Sequence, residues 1–288
     1  MTNSAEIAAL INLIEDPDEL VYQSITERFI EHGQPIIPVL KEQLDFTLDL
    51  SLQKRIDEIL FKISLTILEK GLKDWKFSAN ADLTQASILI SQFIDIETNQ
   101  DEVMFELEKI KKSVWLELHD YLTPLEEINI INKILFSYYK FKGVIQNQIS
   151  LNEFDFSKLV ITKKGNSFTF SALYTILCVM LSIDVRPVNI PKQNLLAYFS
   201  DGNFVNGETE KRILFFIDPM SGQIFTHKNI LEYLQKINEM DHLELIDDMS
   251  NKKFIHKWLL GLSKAHKENE EIIKQSSIVS LANKFIEL

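Results

Sequence analysis

Between Gly165 and Ile183 the chain carries no charged residue, and a stretch of that kind is stable only in a bilayer or inside a protein core. Asn166, Ser167, Thr169, Ser171, Thr175 and Ser182 interrupt it. Its apolar centre, ALYTILCVML, is nearer the length of a buried core helix than the roughly 20 residues a bilayer span needs. The expectation is a helix walled in by the rest of the chain, with no membrane as partner. The chain has the material for such a wall: 288 residues, 45% of them hydrophobic, with eight Gly and seven Pro, enough for one large domain or two modest ones. Forty-two acidic against thirty basic residues leave a formal charge of −12, which repels phosphate backbones and anionic surfaces, so nucleic acid is not an expected ligand. The one cysteine, Cys178, excludes an internal disulfide and a Cys-rich zinc site. The opening MTNSAEIAALINLIEDPDE lacks a basic n-region and does not read as a signal peptide. A cytoplasmic location is the expectation from these two features.

The first 75 residues read as successive helices. Asp16-Pro17 opens a segment with Leu20, Val21, Ile25, Phe29 and Ile30 on one side, Gly33 stands where a helix ends, and Pro35 starts the next helix, to Leu44. A longer helix is expected from Ser51 to Lys70, stopped by Gly71. The stretch from Leu10 to Leu44, with its Asp-Pro turn, helix, Gly break and second helix, resembles one HEAT-type repeat. Such repeats stack on neighbours, so the resemblance implies either a docking surface for another protein or a helical cap on the domain that follows.

Apolar spacing predicts further helices over Asp82–Ile94 and Gln100–Leu118, the second with Val103, Phe105, Leu107, Ile110, Val114, Trp115 and Leu118 inward. Thr123-Pro124-Leu125-Glu126 is a capping box with Pro at the first helical position, opening a helix to about Tyr139. Beyond Gln146 the texture changes. Val185–Ile190, Leu195–Phe199, Arg212–Ile217 and Gln223–Phe225 are short β-rich runs separated by turn residues, Asp201-Gly202-Asn203 among them, and their short spacing predicts an antiparallel sheet. Helices return at His227–Ile237 and from Lys252 to the C-terminus, the latter as a hairpin.

Lys163-Lys164-Gly165-Asn166, Ala172-Leu173-Tyr174, Pro187 to Pro191, Leu195 to Tyr198 and Asp218-Pro219 occur in that order. Over roughly Pro124 to Ile237 they resemble the transglutaminase-like superfamily, in particular its bacterial SirB-type branch. The resemblance implies a helix-rich α+β fold, with a transglutaminase-like (papain-like cysteine-protease-like) core and a small antiparallel sheet, flanked by helical N- and C-terminal segments. It divides the chain into a HEAT-like region (1–75), a transglutaminase-like domain (76–240, core about 124–237) and a C-terminal helical hairpin (241–288). In that superfamily a Cys at the N-terminus of the core helix attacks an amide or ester, a strand His takes its proton and an Asp orients the His. A helix N-terminus stabilises thiolate and oxyanion alike, and a His needs a carboxylate to fix its tautomer. Carried over, the three positions fall on Thr169, Gln193 and Asp218. Gln193 cannot accept a proton near neutral pH, and a hydroxyl without a base is a poor nucleophile.

Cys178, nine residues past Thr169, falls on the opposite face of the helix and reads as an inert core thiol. His227 reads as the start of a helix, and His32, His119, His242, His256 and His266 as scattered surface residues. Asp218 is either a remnant of the triad or the cap of its own Pro turn. Lys163-Lys164 is either a clamp for an acidic partner or a solvated loop. No cofactor motif and no metal-ligand spacing stands in the chain. The expected function is therefore a catalytically inactive transglutaminase-like protein acting as a binding or scaffolding module, its partner another protein and its cleft formed by Asn166, Thr169, Gln193, Asn194 and Asp218. Two alternatives stay open: an amide or ester hydrolase or acyltransferase using Thr169 with an unidentified base, and a HEAT-like adaptor.

Overall fold

A computed structural model describes residues 4–79, 81–144, 150–205, 208–239, 246 and 248–287. The chain divides into two compact units, Met1–Asp74 and Trp75–Leu288.

The first unit holds α1 (Ser4–Leu13), α2 (Glu19–His32), a 3-10 turn (Gln34–Ile36), α3 (Ile37–Phe46) and most of α4 (Leu50–Phe77). Asp18 caps α2 by accepting from the Leu20 N–H, and Gly33, at φ 65°, ends it with its N–H on the Phe29 carbonyl. Arg55 on α4 donates to the Ile14 and Asp16 carbonyls at 2.7 and 2.6 Å and lies 4.7 Å from the centre of the Tyr22 ring. Burial, then the neighbouring Glu58 carboxylate, push the Tyr22 phenol up to about 12. Gly71 does not stop α4. The buried stripe Leu68, Leu72 and Trp75 continues past it, and burying those side chains outweighs the ~1 kcal/mol that a mid-helix glycine costs.

The second unit begins with α5 (Leu83–Ile94), α6 (Gln100–Trp115) and α7 (Pro124–Asn132), which continues in π geometry over Lys133–Tyr138. Both halves of the Thr123–Glu126 capping box form. On α6 the buried stripe is Val103, Leu107, Ile110 and Val114. Phe105 and Trp115, expected inward, lie off that stripe and are exposed, because one stripe at this spacing already fills the contact with the core. Next come β1 (Lys142–Gly143), α8 (Phe156–Thr162), β2 (Lys164–Gly165) and α9 (Ser167–Met180), then β3 (Val185–Pro187), β4 (Leu196–Val205), β5 (Glu208–Ile217) and β6 (Ile224–Phe225). The chain goes on through α10 (His227–Lys236), α11 (Asn251–Glu268) and α12 (Ile272–Glu287), the last two packed as a hairpin.

The uncharged run forms α9, every residue of which from Thr169 to Cys178 is buried, walled by α5, α6, α8 and β3. Among the described residues no helix is long and apolar enough to cross a membrane. The four strands β3-β4-β5-β6 pair antiparallel in sequence order. The turn expected at Asp201-Gly202-Asn203 is absorbed into β4, where the register slips between Asp201 and Phe204, so a bulge takes the place of a reversal. A short parallel pair, β1 with β2, lies outside the expected sheet.

One buried polar chain ties the sheet to the central helix. The Tyr174 hydroxyl donates to Asn132 Oδ1 at 2.9 Å, and Asn132 Nδ2 donates to the Gly222 carbonyl at 2.8 Å. Gly222 sits at φ 73° with Asn132 2.5 Å from where a Cβ would be, so no other residue fits. Asn132→Ala strands the buried Tyr174 hydroxyl and should destabilise the fold by about 1–3 kcal/mol, while Tyr174→Phe should cost about 1 kcal/mol. Urea unfolding checks this. Equal midpoints for Asn132→Ala and the parent chain would show that the bonds contribute nothing.

Candidate functional site

The site is built on the first turn of α9. Asn166 is its N-cap, and its Oδ1 accepts from the Phe168 and Thr169 N–H groups at 2.9 and 3.2 Å. Thr169 answers, its Oγ1 accepting from the Asn166 N–H at 3.1 Å. Its own hydrogen has the Asn166 and Glu153 carbonyls at 3.1 and 3.2 Å. Thr169 is fully buried, and a Cβ on Gly165 would fall 2.4 Å from its hydroxyl oxygen. The hydroxyl is thus spent on closing the helix end.

The hydroxyl at the first helical position belongs to Ser167. Asn194 Nδ2 donates to Ser167 Oγ at 2.8 Å. Ser167 is not among the expected cleft residues, although the capping-box spacing of Asn166 and Thr169 points to it by putting Thr169 at the third helical position and Ser167 at the first. Gln193 stands beside Asn194 in a tight turn bridged to Ile190, ahead of β4 and not within it. Gln193 is exposed, and its backbone carbonyl accepts from Lys257 Nζ on α11 at 2.9 Å. Asp218 follows β5. Its carboxylate accepts from the Met220 N–H at 3.0 Å and the Ser221 hydroxyl at 2.7 Å, so it caps its own Pro219–Gly222 turn. Since Leu196 pairs with Ile217, the Gln193 and Asp218 turns leave the same end of the sheet. The Asp218 turn is anchored to α9 at Tyr174, seven residues and about 10 Å along the axis from Ser167.

An aromatic floor lies under this corner: Phe168 is 5.7, 6.5 and 6.5 Å from the Phe154, Phe254 and Trp258 rings. Burial, with Lys264 adding to it, pulls the Lys257 amine below its ordinary range. Burial, and secondarily Glu127, push the Cys178 thiol up, so it stays neutral. Tyr198 donates to Glu127 Oε2 at 2.7 Å, and its phenol is likewise raised, by burial first.

The remaining candidates take structural places. Lys163 ends α8 in the left-handed conformation, with Nζ on the Val160 carbonyl, 3.4 Å from Glu106 and 5.0 Å from the Phe141 ring centre, whereas Lys164 is exposed. His227 starts α10 and packs edge-on against Phe216 at 5.2 Å. His266, expected on the surface, is buried and bonded to Glu271 at 2.7 Å, because α11 and α12 fold over it. His256 is half-buried, and burial lowers its pKa. His242 lies outside the described residues. Among the described residues no three His, Cys, Asp or Glu side chains gather as metal ligands.

A helix start, a turn beside it and a second turn at the same sheet end form the frame into which the family comparison fits. The model of the transglutaminase-like superfamily matches residues 101–260, more than half of the chain. The chain belongs to this superfamily. No curated protein and no solved structure matches it. The transglutaminase-like part runs from the start of α6 into α11 and so includes Ser167, Asn194 and Lys257.

If Thr169 serves the helix end, Thr169→Ala should cost about 1–2 kcal/mol of stability and Thr169→Ser clearly less. Thermal unfolding of the two variants checks it. A Thr169→Ala protein as stable as the parent would return this hydroxyl to the list of free groups.

Proposed function

We propose that this transglutaminase-like protein is a non-catalytic binding or scaffolding module of the SirB-type branch, working in the cytoplasm with another protein as its partner. The observation that carries the reading is the 2.8 Å bond between Asn194 Nδ2 and Ser167 Oγ. The Ser167 hydroxyl at the helix start is held by an amide, which cannot take up its proton. Gln193 supplies no base, and the Asp218 carboxylate is engaged by its own turn. The HEAT-like region (1–75) serves in this reading as an additional docking element, and the C-terminal hairpin (241–288) as packing for the domain between them.

A second reading has one specific observation behind it. Lys257, its amine pulled down by burial, bonds to the turn that carries Asn194. An amine there, its pKa lowered by burial and by Lys264, is the group that a Ser167-centred hydrolase or acyltransferase would use as base.

The two readings part in a turnover assay on p-nitrophenyl esters and a glutamine-containing peptide. The parent chain should stay at background, and Ser167→Ala and Lys257→Met should change nothing. A general base contributes about 10² to 10⁴ in rate, so turnover that falls by such a factor in both variants would replace the binding reading with the enzymatic one.

A further inference from the structure

Helix α11 carries five lysines against one acidic residue, Glu268, and among the described residues none of the five has a carboxylate within ion-pair distance. Other lysines do have one, as at Lys109, Lys111, Lys158 and Lys274. Lys257 is the member that reaches the candidate site. Its Nζ donates to the Gln193 carbonyl at 2.9 Å, and the next residue, Asn194, donates to Ser167 Oγ at 2.8 Å. Phe168, beside Ser167, packs on Phe254 and Trp258, which flank Lys257 on α11. Three parts of the chain therefore meet here: the start of α9, the Gln193–Asn194 turn and α11. The polar groups they bring are donors. The Lys257 ammonium has two N–H groups beyond its bond to Gln193, and the Asn194 amide has one beyond its bond to Ser167. The Ser167 oxygen is taken by Asn194, which leaves its O–H to donate. Burial, and secondarily Lys264, disfavour the charged amine, and a carboxylate beside it would restore the charge.

We propose that the Ser167–Asn194–Lys257 corner captures a carboxylate of the partner protein, from an Asp or Glu side chain or from a free C-terminus. The donor set selects this ligand. One ammonium with two neutral donors matches the single charge and the two oxygens of a carboxylate. A phosphate dianion would need a second cation in contact, and Lys253 and Lys264 stand about one and two turns away along α11. A cationic ligand would be repelled, and an apolar one would leave the donors unpaired. The net charge of −12 belongs to the whole chain and is screened beyond about 10 Å, so the lysine decides at contact. The proposal rests on the binding-module reading, to which it adds the chemistry of the ligand.

The test is an NMR titration of the isotope-labelled full chain with three short acetylated peptides. One has a central glutamate and an amidated C-terminus, one has glutamine in its place, and one has the glutamine with a free C-terminus. A peptide with a carboxylate should shift the Ser167, Asn194 and Lys257 signals saturably, and the amidated glutamine peptide should not. Which of the two carboxylate peptides binds identifies the source. Lys257→Met, which keeps the half-buried stem, should weaken capture about tenfold or more. Lys257→Arg should retain most of it, so a loss confined to the Met variant is a loss of charge and not of folding. Asn194→Asp should abolish capture by placing a second carboxylate in the corner. No shift with either carboxylate peptide, equal shifts with the amidated glutamine peptide, indifference to Lys257→Met, or tighter capture of inorganic phosphate would overturn the proposal. Ester turnover in the same samples reports separately on the binding-module reading. Turnover abolished by Lys257→Met would bring down that reading, whereas absent capture without turnover would bring down this proposal alone.

Discussion

A helix without a charged side chain needs enclosure along most of its length, and much of the second unit follows from burying α9 from Thr169 to Cys178. Helices α5, α6 and α8 and strand β3 supply its walls. Its first turn is closed by the reciprocal bonds of Asn166 and Thr169. Burial also sets the chemistry along the helix. It keeps the Cys178 thiol and the Tyr174 phenol neutral, and it requires a partner for the Tyr174 hydroxyl, which Asn132 provides. Through Asn132 the helix fixes the Gly222 turn, and so the end of the sheet where the candidate site lies.

The same constraint separates two hydroxyls only two residues apart. Thr169 points into the enclosed side and is consumed there; Ser167, half-buried at the first position, meets Asn194. A helix start that presents a hydroxyl to an amide, beside a turn that carries Gln193, is the arrangement on which the proposed binding reading rests. Lys257 on α11 bonds to that turn, which is why a Lys257 variant separates the two functional readings.

Much of this fold could be read from residue order. The capping box at Thr123, the Gly33 stop and the antiparallel order of the short strands rest on local chemistry, and each formed. Features decided by packing were not legible. Gly71 passes unnoticed through α4 because Leu68 and Trp75 bury on either side of it. Phe105 and Trp115 share the helical period of α6 without facing its core. The site shows the same division: Asn166, Asn194 and the turn residue Asp218 could be picked out, Ser167 was available through cap spacing, and Lys257 had no local signal, since only the packing of α11 brings it to Gln193.

The central claim is that Ser167 is a hydroxyl without an activating base. The most direct measurement is intact-mass analysis of the folded chain after incubation with a fluorophosphonate, which forms a stable adduct only with an activated serine. The account predicts that the mass stays unchanged over the pH range in which Lys257 loses its proton. A one-to-one adduct that maps to Ser167 and disappears in Lys257→Met would contradict it.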